Sequence, residues 1–219
     1  SIITTTAAVA VTLSSAFTLG SAPARAQSWP TKPVRIVVPA PGGSSLDIVA
    51  RLLSDKLKDK WGQPVIVDPK PGAGGTIGVD VAAKSTDNHT LVIGFPGPTA
   101  YGPFLYKKMP YDVSKDLVPI VITTTQPNVL AVNGNLPVKN VAELVAYAKA
   151  NPGKLSYASV GNGSSSHLAM ELFKTEAGID AQHIPFNGSP PAALSTANGD
   201  TPLLFAVASG IAPHVQSGK

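Results

Sequence analysis

Glycines and hydroxyls gather at three places in this chain, each between a strand-like run and a helical pattern, and the third ends in a histidine. The first is Pro39-Ala40-Pro41-Gly42-Gly43-Ser44-Ser45-Leu46-Asp47. Ser44 or Ser45 can cap the helix, Asp47 falls in its first turn, and Gly42 and Gly43 permit positive φ or close approach of a ligand to the backbone. The N–H groups that open a helix have no acceptor inside it, so a carboxylate can sit where water or a capping side chain otherwise would. A capped helix with no ligand accounts for this loop equally well. The second place is Pro69-Lys70-Pro71-Gly72-Ala73-Gly74-Gly75-Thr76-Ile77-Gly78. A dinucleotide fingerprint would need glycine at residue 77, which is isoleucine, and an acid near Leu91-Val92-Ile93-Gly94, which is lacking. It reads better as an anion-facing turn. No G-K-[ST] sequence occurs, so there is no P-loop.

The third place is Ser159-Val160-Gly161-Asn162-Gly163-Ser164-Ser165-Ser166-His167. Hydroxyls and N–H groups at one helix start suit a carboxylate, because each donates a directed bond and the helix dipole favours negative charge. The same serines raise an alternative, a serine-dependent hydrolase of small esters or amides. That chemistry needs His167 or His183 and an acid in spatial order, and the serines do not form G-x-S-x-G. His167 is expected instead to bond neighbouring backbone at the helix start. No H-E-x-x-H or close His/Asp/Glu set occurs, so neither a metal nor a cofactor is expected.

Composition narrows the classes further. The chain has 219 residues, 43% of them hydrophobic and 14% charged, which argues for a folded protein of one or two small domains. Its 20 glycines and 21 prolines are scattered, so they mark shaped turns and not a collagen or low-complexity tract. Without cysteine there are no disulfides, thiolate metal sites or thiol nucleophiles. The net charge is +4, but basic residues stand singly or alternate with acids, as in Lys56, Lys58 and Lys60 with Asp55 and Asp59. That spacing suits a solvated helix face, so no nucleic-acid partner is expected.

The turns need strands and helices to hold them. Val34–Val38, Val65–Val67 and Thr90–Ile93 read as strands, with helices over Leu46–Lys60 and Ile77–Ala83. A second series has helices over Asn140–Ala150, His167–Glu176 and Pro191–Ala197, and strands over Leu155–Val160, Gln182–Pro185 and Leu203–Val207. Alternation of this kind implies mostly parallel sheets covered by helices on both faces. Asp116–Thr125 and Val129–Asn133 read as extended crossing segments, and Ile211–Gln216 as the start of a terminal helix. The expected organisation is two α/β lobes, over 27–122 and 123–219, with a ligand held between them at the strand C-termini. No internal sequence repeat stands out.

Residues Ile2 to Leu19 carry no charge, and Ala24-Arg25-Ala26 fits the small-x-small pattern before a signal-peptidase cut. Residues 1–26 are therefore expected to be part of a secretory signal peptide, with the mature protein starting near Gln27 and located in the periplasm. Two-lobed clamps need the chain to cross back to the first lobe. The second lobe is thus expected to be truncated before that return, and the segment alone to fold poorly as a clamp.

Together these residues resemble the substrate-binding proteins of tripartite tricarboxylate transporters, the TctC or Bug family of extracytoplasmic solute receptors. The matching stretches include Trp29-Pro30-x-Lys32-Pro33-Val34-Arg35-Ile36-Val37-Val38-Pro39, Asp47-Ile48-Val49-Ala50-Arg51, Gly62-Gln63-Pro64-Val65 and Pro71-Gly72-Ala73-Gly74-Gly75. Leu105-Tyr106-Lys107-Lys108, Pro110-Tyr111-Asp112, Pro127-Asn128-Val129-Leu130 and Gly161-Asn162-Gly163 with Ser165-Ser166-His167-Leu168-Ala169 continue it. The resemblance implies a two-lobed, type II periplasmic-binding-protein-like α/β clamp, incomplete at the C-terminus. It further implies a monomer that captures a small carboxylate and passes it to membrane permease subunits without doing chemistry. Carried over by motif, the ligand-binding positions are Gly43, Ser44, Ser45, Gly74, Gly75 and Thr76 in the first lobe. Those in the second are Ser164, Ser165, Ser166, Asn187 and Gly188. Two departures matter: Leu46 stands where a threonine is usual, and Pro202 and Ala206 replace two aspartates, which puts recognition of a ligand amine in doubt.

Overall fold

The computed structural model describes residues 29–219, so the signal peptide expected over 1–26 lies outside the described residues. Every element below falls within Lys32–Lys219. The first three strands, β1 (Val34–Val38), β2 (Val65–Pro69) and β3 (Thr90–Val92), form a parallel sheet in the order β2-β1-β3. β1 lies in the middle, and Val34, Val37 and Val38 have no exposed surface, which is why this run is nearly all β-branched. Helix α1 (Ser45–Trp61) connects β1 to β2, and α2 (Thr76–Ala83) connects β2 to β3. Ile36, Val38, Ala50 and Ile93 form the core of this sheet with Leu46, Leu53, Val65 and Leu91. α1 ends at Gly62 in the left-handed conformation, which glycine adopts without a Cβ penalty.

Two short helices follow, α3 (Gly102–Leu105) and α4 (Val113–Asp116). Asp116 closes the second of these, so the segment expected to be extended from Asp116 onward begins at Leu117. From there to Pro127 the chain forms no helix or strand.

The second sheet has the order β4-β7-β5-β6, from β4 (Asn128–Val132), β5 (Ser156–Ser159), β6 (Gln182–Pro185) and β7 (Leu203–Val207). β5 is parallel to β6 and β7, but β4 runs antiparallel to β7, pairing Asn128 with Val207 and Val132 with Leu203. The stretch read as a crossing segment over Val129–Asn133 is thus an edge strand. A strand's composition carries no sign of its partner's direction.

Side chains alternate across this sheet. Tyr157 and Leu203 face a core with Leu144, Ala148, Leu155 and Met170, built under α5 (Val141–Ala150) and α6 (Ser165–Ala177). Ala158, Leu204 and Ala206 face the opposite way, onto Ala192, Ala193 and Ile211 of α7 (Ser189–Asn198) and α8 (Ala208–Gln216). Small residues on that face let the two helices approach closely. Buried Asn133 fixes the end of α7, its amide donating to the carbonyls of Thr196 and Ala197 at 2.9 and 3.0 Å. Those are among the last helical carbonyls, which lack donor partners inside the helix. Among the described residues no helix is long and apolar enough to cross a membrane.

Candidate ligand-binding site

Four turns leave the C-terminal ends of the parallel strands β1, β2, β5 and β6, and these turns with the helix starts that follow them contain the ligand-binding positions expected from the sequence. The turn after β1 is shaped by Gly43 at φ +77° and by Ser44, whose extended backbone makes it the N-cap of α1. Ser44 Oγ accepts from the Asp47 N–H at 3.3 Å, and Asp47 Oδ2 accepts from the Gly43 N–H at 2.9 Å. This reciprocal bonding is a capping box shifted one residue outward. Asp47 is buried, and Arg51 one helical turn later meets it with two N–H groups at 2.8 and 3.2 Å. The Arg51 guanidinium holds the Asp47 carboxyl below its ordinary range against the opposing effect of burial, and the Gly43 N–H adds to the lowering. Its negative charge is therefore matched next to the turn.

The turn after β5 repeats this geometry. Gly163 stands at φ +72° and Ser164 caps α6 with φ −70° and ψ 161°, against −69° and 162° at Ser44. Ser164 Oγ accepts from the His167 N–H at 3.3 Å, and His167 Nδ1 accepts from the Gly163 N–H at 3.1 Å. Ser44 N–H donates to Pro41 and Ser164 N–H to Gly161, both at 3.2 Å. The two sheets thus carry one local design, Gly-Ser-Ser with an acceptor three residues past the cap. Asp47 fills that last place in one copy and His167 in the other. The sequence shows no repeat here because the shared stretch is short and its acceptor differs.

The hydroxyls divide by role. Ser164 and Ser166 are both buried and bonded to each other at 3.0 Å, and Ser166 Oγ also accepts from the Val160 N–H at 3.0 Å. Ser44 is likewise buried and capping. These three side chains are committed within the turns. Ser45 and Ser165, the second serines of the two copies, are partly exposed, and the N–H groups that open each helix lack helical acceptors. Donors to an anion at these turns are thus backbone groups and the second serines.

The other two turns border these. Gly72, Ala73, Gly74 and Gly75 all have positive φ in the turn after β2, which ends at Thr76, the start of α2. Gly74 lies against the second sheet: a Cβ there would stand 2.8 Å from the Asn162 carbonyl oxygen, and one on Gly161 3.3 Å from Gly74 Cα. After β6, Gly188 at φ +109° packs against Pro41 of the first turn. α7 begins Ser189-Pro190-Pro191, so two of its first positions have no N–H, and Asn187, exposed, supplies the amide on that side. Tyr106 reaches across as well, its hydroxyl donating to the Asn162 carbonyl at 3.5 Å. The turns of the two sheets therefore meet through Gly74 and Tyr106 against Asn162 and through Gly188 against Pro41.

Sequence reasoning missed a stack of rings beneath the third turn. His167 and His183 lie ring on ring, with centroids 4.1 Å apart, and Tyr157 stacks on His183 at 4.8 Å. His183 Nε2 and Ser159 Oγ are 2.6 Å apart, and Ser159 Oγ also accepts from the Gly161 N–H at 3.2 Å. Burial, and then the neighbouring His167, push His183 down to about 4. Burial also lowers His167, with Glu171 opposing and Lys174 adding to the effect. Glu171 bonds the Tyr157 hydroxyl and Lys174, and among the described residues no acid hydrogen-bonds His167 or His183 to complete a Ser-His-acid triad. Ser159 itself is fully buried. Among the described residues no three His, Asp or Glu side chains are placed to share a metal.

Two covered α/β sheets whose C-terminal turns meet match the periplasmic-binding-protein class, and solved structures agree. The chain is similar to R. palustris Rpa4515 with adipate at TM-score 0.84 and 36% identity, covering 87% of this chain and 64% of that one. It is similar to the periplasmic binding protein BugD at TM-score 0.78 and 30% identity, over 87% and 64%. MatC from Rhodopseudomonas palustris with bound malate matches at TM-score 0.80 and 29% identity, over 87% and 65%. The model of the tripartite tricarboxylate transporter family receptor, TctC, matches residues 49–219, and the chain belongs to that family. A UPF0065 protein of Bordetella bronchiseptica is 40% identical over 197 residues, which are 90% of this chain and 58% of that relative's length.

Proposed function

We propose that this chain forms the ligand-capturing part of an extracytoplasmic receptor for small carboxylates, which hands its cargo to a membrane permease. The observation that carries the reading is the pair of Ser-capped helix starts, one from each sheet, brought to the same junction. Each supplies free N–H groups, the positive end of a helix dipole and one uncommitted serine, Ser45 or Ser165, and together they suit an acid with oxygen atoms at both ends. Adipate and malate in the related structures are such acids. The family's role in transport and the periplasmic setting of BugD support delivery to a permease outside the cytoplasm.

In this reading the lobes divide near residue 122, and Gly43–Ser45 face Ser164–Ser166. Gly74–Thr76 and Asn187–Gly188 line the sides. Capture needs no bond making: a carboxylate exchanges water for directed N–H and O–H donors, each worth about 1.5–3 kcal/mol to a charged acceptor. A hydrolase reading would rest on Ser159 and His183, but a fully buried serine offers no attacking oxygen to a substrate. Native mass spectrometry of the full-length exported protein, purified without added ligand, should reveal a bound mass of a small organic acid that is lost on denaturation. Bare protein that also takes up none of a mono-, di- or tricarboxylate panel would overturn the proposal.

A further inference from the structure

The two copies of the Gly-Ser-Ser turn differ in one chemical respect. In the first, the acceptor for the Gly43 N–H is a carboxylate locked to Arg51. In the second, the acceptor for the Gly163 N–H is an imidazole nitrogen, His167 Nδ1. An imidazole accepts at Nδ1 only while that nitrogen carries no proton; once the ring is protonated, both nitrogens are donors. Protonation of His167 thus sets two N–H groups against each other, 3.1 Å apart, at the residue before the cap of α6.

We propose that His167 is a positioning residue for the second turn, and that its protonation releases the Gly163 N–H, deforms the head of α6 and lowers affinity for a carboxylate held there. The proposal rests on the carboxylate reading of the turns. His183 reinforces the device. Its ring lies 4.1 Å from that of His167, so a charge on one opposes a charge on the other, and through Ser159 it grips Gly161, two residues before Gly163. The turn is therefore held by two stacked rings, of which His167 must keep Nδ1 free of a proton to accept from Gly163.

The charged surroundings are few. On α6, Glu171 stands one turn after His167 and favours its protonated form, while Lys174 opposes it. Glu171 is already engaged by the Tyr157 hydroxyl and by Lys174, which also lies 4.0 Å from Asp180. β5 contributes Tyr157 and β6 contributes His183, while β4 and β7, also packed against α6, carry no titratable side chain. No carboxylate hydrogen-bonds either imidazole among the described residues, and burial of both rings acts in the same direction, toward neutrality.

The test has two arms on the full-length protein. In the first, without ligand, the Gly163 amide and the His167 ring nitrogens are followed by NMR from pH 8 to pH 5. The amide shift should titrate with the midpoint of the ring, and that titration should vanish in His167→Asn. Asparagine at this position offers an uncharged oxygen where Asp47 offers one to Gly43. An amide that stays put while His167 takes up its proton overturns the proposal on the parent protein alone. In the second arm, adipate is the calorimetric probe at pH 8 and pH 5, and the ratio of affinities is compared between parent and variant, which cancels protonation of the acid itself. The parent ratio should exceed that of His167→Asn by about tenfold or more, since one linked proton changes affinity by up to tenfold per pH unit. Equal ratios overturn the proposal. Absence of heat with adipate and with malate at pH 8 overturns the carboxylate reading, while an amide still following the ring upholds the positioning role of His167.

Discussion

Ser44 and Ser164 direct their hydroxyls to the N–H groups of Asp47 and His167, and Ser166 directs its own to Val160, so residues that look alike in the sequence do different work. Replacing Ser164 or Ser166 removes a cap or leaves a buried donor unpaired, costing about 1–2 kcal/mol of stability. Ser45 and Ser165 carry no such duty, and theirs are the hydroxyls free to meet a ligand. His183 has a distinct consequence for stability. Its ordinary value of 6.5 is pushed down to about 4 by burial and by His167, so between those values the unfolded chain binds a proton that the folded chain refuses. Stability is therefore fully present above pH 6.5 and falls as the pH drops toward 4. The slope is at most about 1.4 kcal/mol per pH unit for each such group, reduced by solvent screening at partly exposed rings. Carboxylates held low, such as Asp47 and Asp87, act only below their own ordinary value of 3.8. Urea melts between pH 7.5 and 4.5 should show this decline in the parent and a shallower one in His183→Phe, which keeps the ring stack. Parallel slopes would mean that the imidazole stays solvated and contributes nothing.

At the scale of elements, the glycine turns join the two sheets, and two glycines give a clean comparison. Gly62 and Gly74 both sit at φ +63°, but a Cβ on Gly62 meets nothing within 4 Å, whereas one on Gly74 comes within 2.8 Å of the Asn162 carbonyl oxygen. Gly62→Ala should cost about 1–2 kcal/mol from backbone strain alone. Gly74→Ala should cost a further 1–3 kcal/mol or so, because the turn must move off its neighbour. Equal thermal destabilisation of the two variants would show that the turns do not touch. The elements bearing these turns were largely legible in the sequence. β1 and β7 fall on β-branched or apolar runs, and α1 and α6 begin one or two residues before the apolar periodicity does because their caps are serines. The antiparallel course of β4 was not legible, since direction is set by a partner more than seventy positions away. Nor were α3 and α4, which are too short for periodicity to register. Within the site, the serine caps of the two turns and the backbone bond of His167 could be read from Gly, Ser and His next to a helix start. The Ser159–His183 contact could not, because it joins neighbouring parallel strands whose register depends on the crossover between them.

For the whole molecule, the same small motif stands on two sheets whose turns meet at one junction, and the proposed function rests on that placement. One helix start is a weak anion site in water; on the proposed reading two of them, with Gly74 against Asn162 and Gly188 against Pro41, exclude water and grip an acid from both ends. On that reading charge selection falls to the backbone, and the modest net charge of +4 does no more than favour the approach of an anion. This chain spans 58% of the length of the Bordetella bronchiseptica relative, so the decisive measurement belongs on the full-length protein. It is a calorimetric titration with adipate and, in parallel, with adipamide, the diamide of the same length and shape. Loss of even one charge-assisted bond at about 1.5–3 kcal/mol corresponds to roughly a tenfold to hundredfold weakening. The account predicts saturable binding of the diacid and weakening of at least that size for the diamide. Equal affinity for the two, or tighter binding of the diamide, would contradict it.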